Sequence, residues 1–417
     1  MSDNVLWIIT DDQPRATLER MPRTWSRLVQ RGVRFDRGYA AMPWCGPARA
    51  SMLTSRYPHH HGCSTNQTHA PFVQRGLDQD TVATRLRAGT DYDTGYFGKY
   101  MNGLSRDPAY VAPGWRRWVT TVGSGGRVNV DGENRELGSQ RAADRFALDR
   151  LTNYLERQAD SGPWFAVWST STPHDPYTPS RRHRDDFDGV RWDPPSLNER
   201  DMSDKPSWLR DLPPQDRARM REVHEGKLEE LQDLDDQVAR VLDVLRETGQ
   251  HERTWIFFVS DNGYLLGEHR LFRKEQPYEE SAGVPYVVRG PGAAPAVSDA
   301  LVSQVDLMPT TLEIAGLDPD AGRELDGRSL LAPLTTGDWS GWRRRLLVEN
   351  TNLGWAMLRE GSHVFIDHHE RGECELYDLA TDPHQLDSLQ GADVAGWAGP
   401  LGRLRSATGR ALRALEI

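Results

Sequence analysis

Cysteine is scarce in this chain, which has only Cys45, Cys63 and Cys374 among 417 residues. Three thiols are too few for a disulfide framework, and an odd number leaves at least one of them unpaired. Long hydrophobic runs are also missing, since no apolar segment approaches the roughly 18 residues that a membrane span requires. The N-terminus lacks a basic segment followed by an apolar core, which predicts a cytoplasmic protein with no signal peptide and no membrane partner.

Positive charge is in short supply as well, because 51 basic residues stand against 61 acidic ones and give a net charge of −10. This balance argues against a nucleic-acid-binding protein that relies on a broad basic surface. It leaves an anionic substrate open, because a few local cations are enough to build an anion site. Hydrophobic residues at 37% and charged residues at 27% are typical of a folded chain with a packed core.

Short apolar segments alternate with helical patterns up to about residue 337. The predicted strands, which are apolar without strict alternation, are residues 5–10, 164–169, 255–260 and 284–288. The predicted helices, which have apolar residues at helical spacing, are residues 142–157, 215–247 and 306–315. This alternation favours an α/β domain with a large, mainly parallel sheet flanked by helices.

The pattern changes after Gly337. Short runs separated by turns predict a small antiparallel sheet at residues 346–349, 355–359, 363–367 and 375–379, closed by a helix near residues 401–415. A Pro- and Asp-rich stretch at residues 187–214 is expected to run over the surface. We therefore expect a large α/β domain over residues 1–337 and a small α+β subdomain over residues 338–417.

Polar side chains follow two of the predicted strands. Asp11 and Asp12 come directly after residues 5–10, and Asp261 and Asn262 come directly after residues 255–260. Because ligands bind beyond the carboxyl ends of parallel strands, we expect these side chains to gather at one edge of the sheet. They offer only oxygen ligands, which favour Ca²⁺ or Mg²⁺ over zinc. A single Asp pair more often caps a helix or ends a strand, but two pairs at equivalent positions weaken that interpretation.

Two further polar residues are predicted at the same edge. Lys99 follows the segment at residues 93–98, and His174 follows the strand at residues 164–169. Either residue alone is more often solvated or structural. The run of three histidines at residues 59–61 raises a separate metal hypothesis. Consecutive residues cannot easily face one ion, so structural or solvent roles in a loop are favoured there.

Residues 45–49, CGPAR, begin a predicted helix that runs to Leu53. Pro47 suits the first helical turn, and Arg49, four residues after Cys45, can share a helix face with it. A helix N-terminus also favours an anion. The residues alone therefore indicate a nucleophile and a cation beside an anion site, or else a buried thiol near a surface arginine. The spacing is too short for the Cys-x₅-Arg loop of cysteine phosphatases.

Residues 45–49, together with MLTSRYP at residues 52–58, resemble the sulfatase motif C-x-P-S/A-R and its T-G-R-Y-P extension. Other sulfatase-like segments follow the family order along almost the whole chain, at residues 9–13, 98–102, 173–176, 260–264, 267–269, 274–285 and 375–383. Each segment is weak alone, but their order and spacing together are very specific. Residues 97–102 and 278–292 are most similar to the branch of N-acetylglucosamine-6-sulfatases and heparan-sulfatase-like enzymes.

The resemblance implies an alkaline-phosphatase-like fold, with residues 1–337 as the catalytic domain, and hydrolysis of a sulfate monoester on a sugar or small molecule. It implies that a formylglycine-generating enzyme oxidises Cys45 to formylglycine, whose hydrated gem-diol form attacks sulfur. It also implies one divalent cation, Ca²⁺ or Mg²⁺. The implied ligands of this cation are Asp11, Asp12, Cys45 as formylglycine, Asp261 and Asn262.

The resemblance assigns roles to four further residues. Arg49, Lys99 and Lys274 neutralise charge on the sulfate oxygens. His174 binds the sulfate and protonates the leaving alcohol.

Three positions depart from the family pattern. Met101 stands where many sulfatases have a histidine, so the base for the collapse back to the aldehyde is left open, with Asn102 as a partial replacement. Ser55 stands in place of glycine, and residues 282–283 replace a frequent arginine.

Two alternative functions remain. A phosphonate monoester or phosphodiester hydrolase shares this fold and also uses formylglycine, and sulfate and phosphate esters differ mainly in charge. A non-catalytic, metal-bound binding protein on the same scaffold is the second alternative. The intact set of Cys45, Arg49, Lys99 and His174 argues against it.

Overall fold

The structure is a computed structural model, and it describes residues 2–321 and 324–389. Its strands are β1 (Asn4–Thr10), β2 (Val33–Phe35), β3 (Gly38–Tyr39), β4 (Asp93–Lys99), β5 (Arg117–Val122), β6 (Arg127–Val130), β7 (Glu133–Glu136), β8 (Trp164–Ser169), β9 (Thr254–Ser260), β10 (Leu265–Leu266), β11 (Phe272–Arg273), β12 (Tyr286–Arg289), β13 (Ala296–Ser298), β14 (Val302–Ser303), β15 (Arg345–Asn350), β16 (Trp355–Glu360), β17 (His363–His368) and β18 (Glu373–Asp378). Its α-helices are α1 (Pro22–Arg27), α2 (Cys45–Thr54), α3 (Pro58–His61), α4 (His69–Gln74), α5 (Val82–Gly89), α6 (Gln140–Arg157), α7 (Ser207–Arg210), α8 (Arg217–Glu247), α9 (Glu279–Ala282), α10 (Leu307–Ile314) and α11 (Leu331–Thr336).

Ten strands form one large sheet in the order β13-β2-β12-β9-β1-β8-β4-β5-β6-β7. The five central strands, from β9 to β5, are parallel. β12 pairs antiparallel with β9 on one side, and β6 and β7 are antiparallel on the other side. The prediction of a mainly parallel sheet is confirmed for its centre, while its edges are mixed.

Helices cover both faces of this sheet. Leu6 and Ile8 of β1 pack with apolar residues of α6 and α8 on one face. Val5, Trp7 and Ile9 pack with residues of α2, α5 and α10 on the other. Every residue of β1 is buried, as is every residue of β8 and β9. Burial on both faces explains why these strands are continuously apolar in sequence rather than alternating.

A separate sheet, β15-β16-β17-β18, follows near the C-terminus, and each neighbouring pair of its strands is antiparallel. The predicted small antiparallel sheet is therefore confirmed. Side chains of Asn350 and Trp355 donate hydrogen bonds to the carbonyl of Glu275, at 3.1 and 3.0 Å. The helix expected near residues 401–415 lies outside the described residues.

Two element boundaries differ from the sequence prediction for clear reasons. The strand expected at residues 284–288 begins only at Tyr286, because Pro285 has no N–H to give to a strand ladder. The helix expected at residues 215–247 begins at Arg217. The side chain of Asp216 accepts hydrogen bonds from two backbone N–H groups of the first turn and so caps the helix.

Candidate active site

The carboxyl ends of the central strands bring the predicted polar residues together. Thr10 of β1 and Ser260 of β9 are paired in parallel register, so Asp11 and Asp261 leave the sheet side by side. The backbone N–H of Asp12 donates to Oδ1 of Asp261 at 3.1 Å. The two Asp-containing segments are therefore joined at the edge where the sequence places them.

Helix α2 brings Cys45 to the same point as its first residue. Oxygen atoms of Asp11, Asp12 and Asp261 and the sulfur of Cys45 all lie within 4.8 Å of one another. The Cys45 sulfur is 3.3 Å from Oδ1 of Asp11 and 3.7 Å from Oδ1 of Asp12. Burial, together with the charges of Asp11 and Asp261, raises the pKa of the Cys45 thiol well above its ordinary value.

Three cations are paired with the three carboxylates. The ammonium of Lys99 contacts Asp11, and that of Lys274 contacts Asp12. Burial alone raises the pKa of the Asp11 carboxyl, but Lys99 and the neighbouring cations hold it well below its ordinary value. The Lys274 ammonium also lies 2.8 Å from the Cys45 sulfur. Lys274 therefore contacts both the thiol and a carboxylate, whereas Lys99 contacts a carboxylate.

Arg49 is buried behind this cluster with 2% of its side chain exposed. Its Nε donates to Oδ2 of Asp261 at 3.0 Å, and its Nη2 lies 2.9 Å from the same oxygen. Nη1 donates to the carbonyl of Lys99 at 2.7 Å and also to Oγ of Ser169. The alternative of a surface arginine is therefore wrong. This guanidinium connects α2 to the ends of three strands.

The donor set fits a hard divalent cation. Asn262 is fully buried, and its Nδ2 donates to Oδ1 of Asp12 at 2.7 Å. Its Oδ1 has no hydrogen-bond partner among the described residues. A buried carbonyl oxygen without a partner is costly unless another group satisfies it. Three carboxylates and this amide oxygen are the ligand types that Ca²⁺ and Mg²⁺ prefer.

His174 lies in the loop after β8, with 34% of its side chain exposed. Its Nδ1 is 2.6 Å from the carbonyl oxygen of Asp175, which can only accept, so Nδ1 carries a proton. Its Nε2 lies 3.8 Å from Oδ2 of Asp12. The ring therefore presents Nε2 next to the acidic cluster, where it can donate a proton to a bound ester only when the ring is doubly protonated.

A cavity of about 440 Å³ opens beside these residues and is lined by Asp11, Lys99 and His174. Ligand pockets commonly range from about 300 to 1,000 Å³, so this one is large enough for a sugar. Burial raises the pKa of two acidic lining residues, Asp144 to about 7 and Glu230 to about 8. The cavity lining therefore combines two basic residues, Lys99 and His174, with two weakly acidic ones, Asp144 and Glu230.

Asn102 also lines this cavity, and its Oδ1 has no hydrogen-bond partner among the described residues. Met101 beside it lies in the core. An amide oxygen accepts hydrogen bonds but does not act as a base near neutral pH. Asn102 can therefore orient a substrate, and the base that a histidine provides in many sulfatases stays unassigned.

The three consecutive histidines lie in the short helix α3 rather than in a loop, and they face different partners. His59 bonds to Glu349, and His60 bonds to Asp326. His61 is buried between Ser51 and the backbone N–H of Cys63. Their separate partners support structural roles.

Sequence reasoning missed Lys227 of α8. Its side chain is buried, and its ammonium donates to the backbone carbonyls of Asp12 and Pro173, both at 3.0 Å. A signal was present in the sequence. Lys227 falls on the apolar face that also carries Leu231 and Leu234, where a charged residue is unusual.

Comparison with known proteins identifies the family. The profile of the Sulfatase family matches residues 3–317. This chain belongs to the sulfatase family. A second profile, described as the C-terminal region of N-sulphoglucosamine sulphohydrolase, matches residues 267–395 and so includes the small antiparallel sheet.

Relatives of known sequence include the extracellular sulfatase SULF-1 homolog of Drosophila melanogaster, which is 32% identical over 420 residues. That match covers 93% of this chain but only 36% of the fly protein. Human N-acetylglucosamine-6-sulfatase is 30% identical over 376 residues, which cover 84% of this chain and 68% of the human enzyme. The predicted branch is therefore confirmed by its relatives, although this sulfatase spans about a third of the fly protein.

Solved structures agree on the fold. A structure in complex with its substrate D-glucosamine-2-N,6-O-disulfate has a TM-score of 0.81 and 21% identity, and the match covers 100% of this chain and 99% of that chain. The phosphonate monoester hydrolase of Silicibacter pomeroyi has a TM-score of 0.77 and 22% identity, with 98% and 94% covered. The alkaline-phosphatase-like fold is therefore confirmed.

Within the described residues, the structure contains no helix that is both long enough and apolar enough to span a membrane. The cytoplasmic location expected from the N-terminus finds no support among the relatives, because the fly protein is named an extracellular sulfatase.

Proposed function

We propose that this sulfatase hydrolyses sulfate monoesters of amino sugars. The observation that carries the proposal is the position of Cys45. Its sulfur lies among three carboxylates, beside the Lys274 ammonium and 3.3 Å from Oδ1 of Asp11, a residue that lines a sugar-sized cavity. Relatives about 30% identical are named N-acetylglucosamine-6-sulfatases, which favours a 6-sulfated hexosamine as the substrate.

The chemistry requires two groups beyond the encoded side chains. Cys45 is converted to formylglycine by a formylglycine-generating enzyme, and one Ca²⁺ or Mg²⁺ binds Asp11, Asp12, Asp261, Asn262 and residue 45. The hydrated aldehyde supplies the nucleophilic oxygen, and the cation supplies positive charge that favours its deprotonated form. Burial and the nearby carboxylates raise the pKa of the Cys45 thiol, so the unmodified residue is a protonated thiol and a poor nucleophile.

The remaining side chains bind and neutralise the sulfate. Lys99 and Lys274 have one ammonium each at the cluster, and both can move from a carboxylate to a sulfate oxygen. Arg49 is buried beside the cluster, and its hydrogen bond to Oδ2 holds the Asp261 carboxylate in place. His174 places Nε2 next to the cluster, and the doubly protonated ring binds the sulfate there and gives the Nε2 proton to the departing alcohol, leaving the neutral ring with its proton on Nδ1.

The division into a catalytic domain at residues 1–337 and a subdomain at residues 338–417 is part of the proposal. The small sheet contributes to the site indirectly. Its Asn350 and Trp355 hold the carbonyl of Glu275, the residue after Lys274. The subdomain thereby fixes the segment that brings Lys274 to Cys45.

A phosphonate monoester or phosphodiester hydrolase is the second candidate, favoured by the likeness to the Silicibacter enzyme. Paired substrates separate the two. Steady-state rates are measured on N-acetylglucosamine 6-sulfate and on a phosphonate or phosphate diester of the same leaving group, with Cys45→Ala as the control. We expect a higher kcat/KM for the sulfate, loss of turnover on chelation, and recovery with Ca²⁺ or Mg²⁺. A higher kcat/KM for the phosphorus ester would contradict the proposal, and turnover by the Cys45→Ala variant would contradict both candidates.

A further inference from the structure

Lys227 is a fully buried cation that bonds to backbone rather than to a carboxylate. It extends from α8 with 1% of its surface exposed. Its ammonium donates to the carbonyls of Asp12 and Pro173, both at 3.0 Å, and lies 3.8 Å from the centre of the Tyr264 ring. Two carbonyls and an aromatic face contact the charge directly, and the carboxylates of Asp12 and Glu230 act on it without a direct bond.

Burying a charged side chain at this position destabilises the folded state. Moving a charged group out of water is strongly unfavourable, and neutral partners offset only part of that penalty. A leucine or methionine at this point of the apolar face of α8 would avoid it. Stability alone therefore does not explain a lysine here, and its two carbonyl partners indicate what it does.

Both carbonyls belong to segments that carry proposed site residues. Asp12 has a φ of 63°, in the left-handed region that residues other than glycine rarely adopt. The bond to Lys227 fixes the carbonyl in this conformation, and the Asp12 carboxylate then faces the cluster. Pro173 directly precedes His174, so its carbonyl fixes the loop that presents the imidazole.

We infer that Lys227 is a positioning residue that joins the Asp12 turn to the His174 loop and thereby sets both cation affinity and proton donation. The inference rests on the proposed function for the roles of these two residues. It also predicts the direction in which cation affinity changes when Lys227 is replaced. Removing a positive charge near the site favours cation binding by electrostatics, whereas releasing the Asp12 turn weakens it.

The test substitutes Lys227→Met, which keeps the apolar length and removes the donor. Lys205→Met is the matched control. Lys205 is also fully buried and lies near an aromatic ring, but its ammonium contacts Glu199, Asp204 and the carbonyl of Leu386, away from the cluster. Ca²⁺ affinity is measured by calorimetry on unconverted protein. Turnover is measured on a sugar sulfate and on 4-nitrophenyl sulfate with converted protein.

For Lys227→Met we expect a Ca²⁺ Kd at least tenfold higher, and a larger loss of kcat on the sugar sulfate than on the aryl sulfate. Lys205→Met should lower the melting temperature without either effect. If Lys227→Met does not fold, Lys227→Gln removes the charge and keeps a shorter donor, and the same directions are expected. An unchanged or lower Ca²⁺ Kd in the folded variant would overturn the inference. Ca²⁺ binding by wild-type protein without sulfatase turnover would overturn the proposed function instead.

Discussion

Lys274→Met should strengthen cation binding while it weakens catalysis. The Lys274 ammonium is paired with Oδ1 of Asp12 and lies 2.8 Å from the Cys45 sulfur. A divalent ion that takes Asp12 and residue 45 as ligands would share these atoms with the ammonium, and the two positive charges would repel each other. The lysine therefore competes with the ion for the same atoms.

The expected change in cation affinity follows from the interaction that the variant removes. A hydrogen bond to a charged group contributes about 1.5–3 kcal/mol net, and Lys274→Met removes that competing interaction. Since each 1.4 kcal/mol is about tenfold in affinity, the Ca²⁺ Kd should fall by about 10- to 150-fold. The same variant loses a group that neutralises the sulfate. Removing one such group typically costs about 10²–10³ in kcat.

Calorimetric titration of unconverted protein with Ca²⁺ measures the affinity, and kcat is measured on converted protein. Lys205→Met controls for the loss of a buried positive charge elsewhere, and its Ca²⁺ Kd should not change. A Lys274→Met variant with unchanged or weaker Ca²⁺ binding would refute the competition. Unchanged kcat would refute the role of Lys274 at the sulfate.

Three further outcomes are expected. Arg49→Ala leaves the buried Asp261 carboxylate without its cationic partner, so chemical denaturation without added cation should show a free energy of unfolding lower by about 3–5 kcal/mol. Saturating Ca²⁺ should reduce that loss. An equal loss in both conditions would contradict the shared role of Asp261. Burial raises the pKa of Glu230 to about 8 from its ordinary value of 4.5. Between these two pH values the folded protein keeps a proton that the unfolded chain has already released, so stability falls as pH rises through that window. Glu230→Gln should therefore raise the melting temperature more at pH 9 than at pH 5, and a constant difference would count against this titration. His174→Ala should lower kcat much more on a sugar sulfate than on 4-nitrophenyl sulfate, because a departing alkoxide needs a proton and a nitrophenolate scarcely does. Equal losses on the two substrates would assign the proton to another group, with Lys274 the next candidate.

Much of the fold and of the candidate site was predictable because the relevant signals are local. Strands buried on both faces are continuously apolar, so β1, β8 and β9 are visible in sequence. Parallel strands place the residues after them at one edge, which predicts that Asp11 and Asp261 meet. The grouping of Cys45 and Lys274 at that edge followed only from resemblance to a family, since 229 residues separate them.

Other features depend on contacts that sequence patterns do not record. The partners of Arg49 come from β4, β8 and the turn after β9, so its burial could not be inferred from its position four residues after Cys45. The left-handed turn at Asp12 is also invisible in sequence, because aspartate tolerates several backbone conformations. Lys227 was visible as a charge on an apolar helix face, but its partners were not.

The most direct test of the central claim relates turnover to the chemical state of residue 45. Protein is produced with graded amounts of a formylglycine-generating enzyme, and mass spectrometry gives the fraction of the Cys45 peptide that has lost about 18 Da, the change from cysteine to formylglycine. Sulfatase activity per mole should rise in proportion to that fraction and extrapolate to zero for the pure thiol. Full activity in protein whose Cys45 remains entirely a thiol would contradict the account.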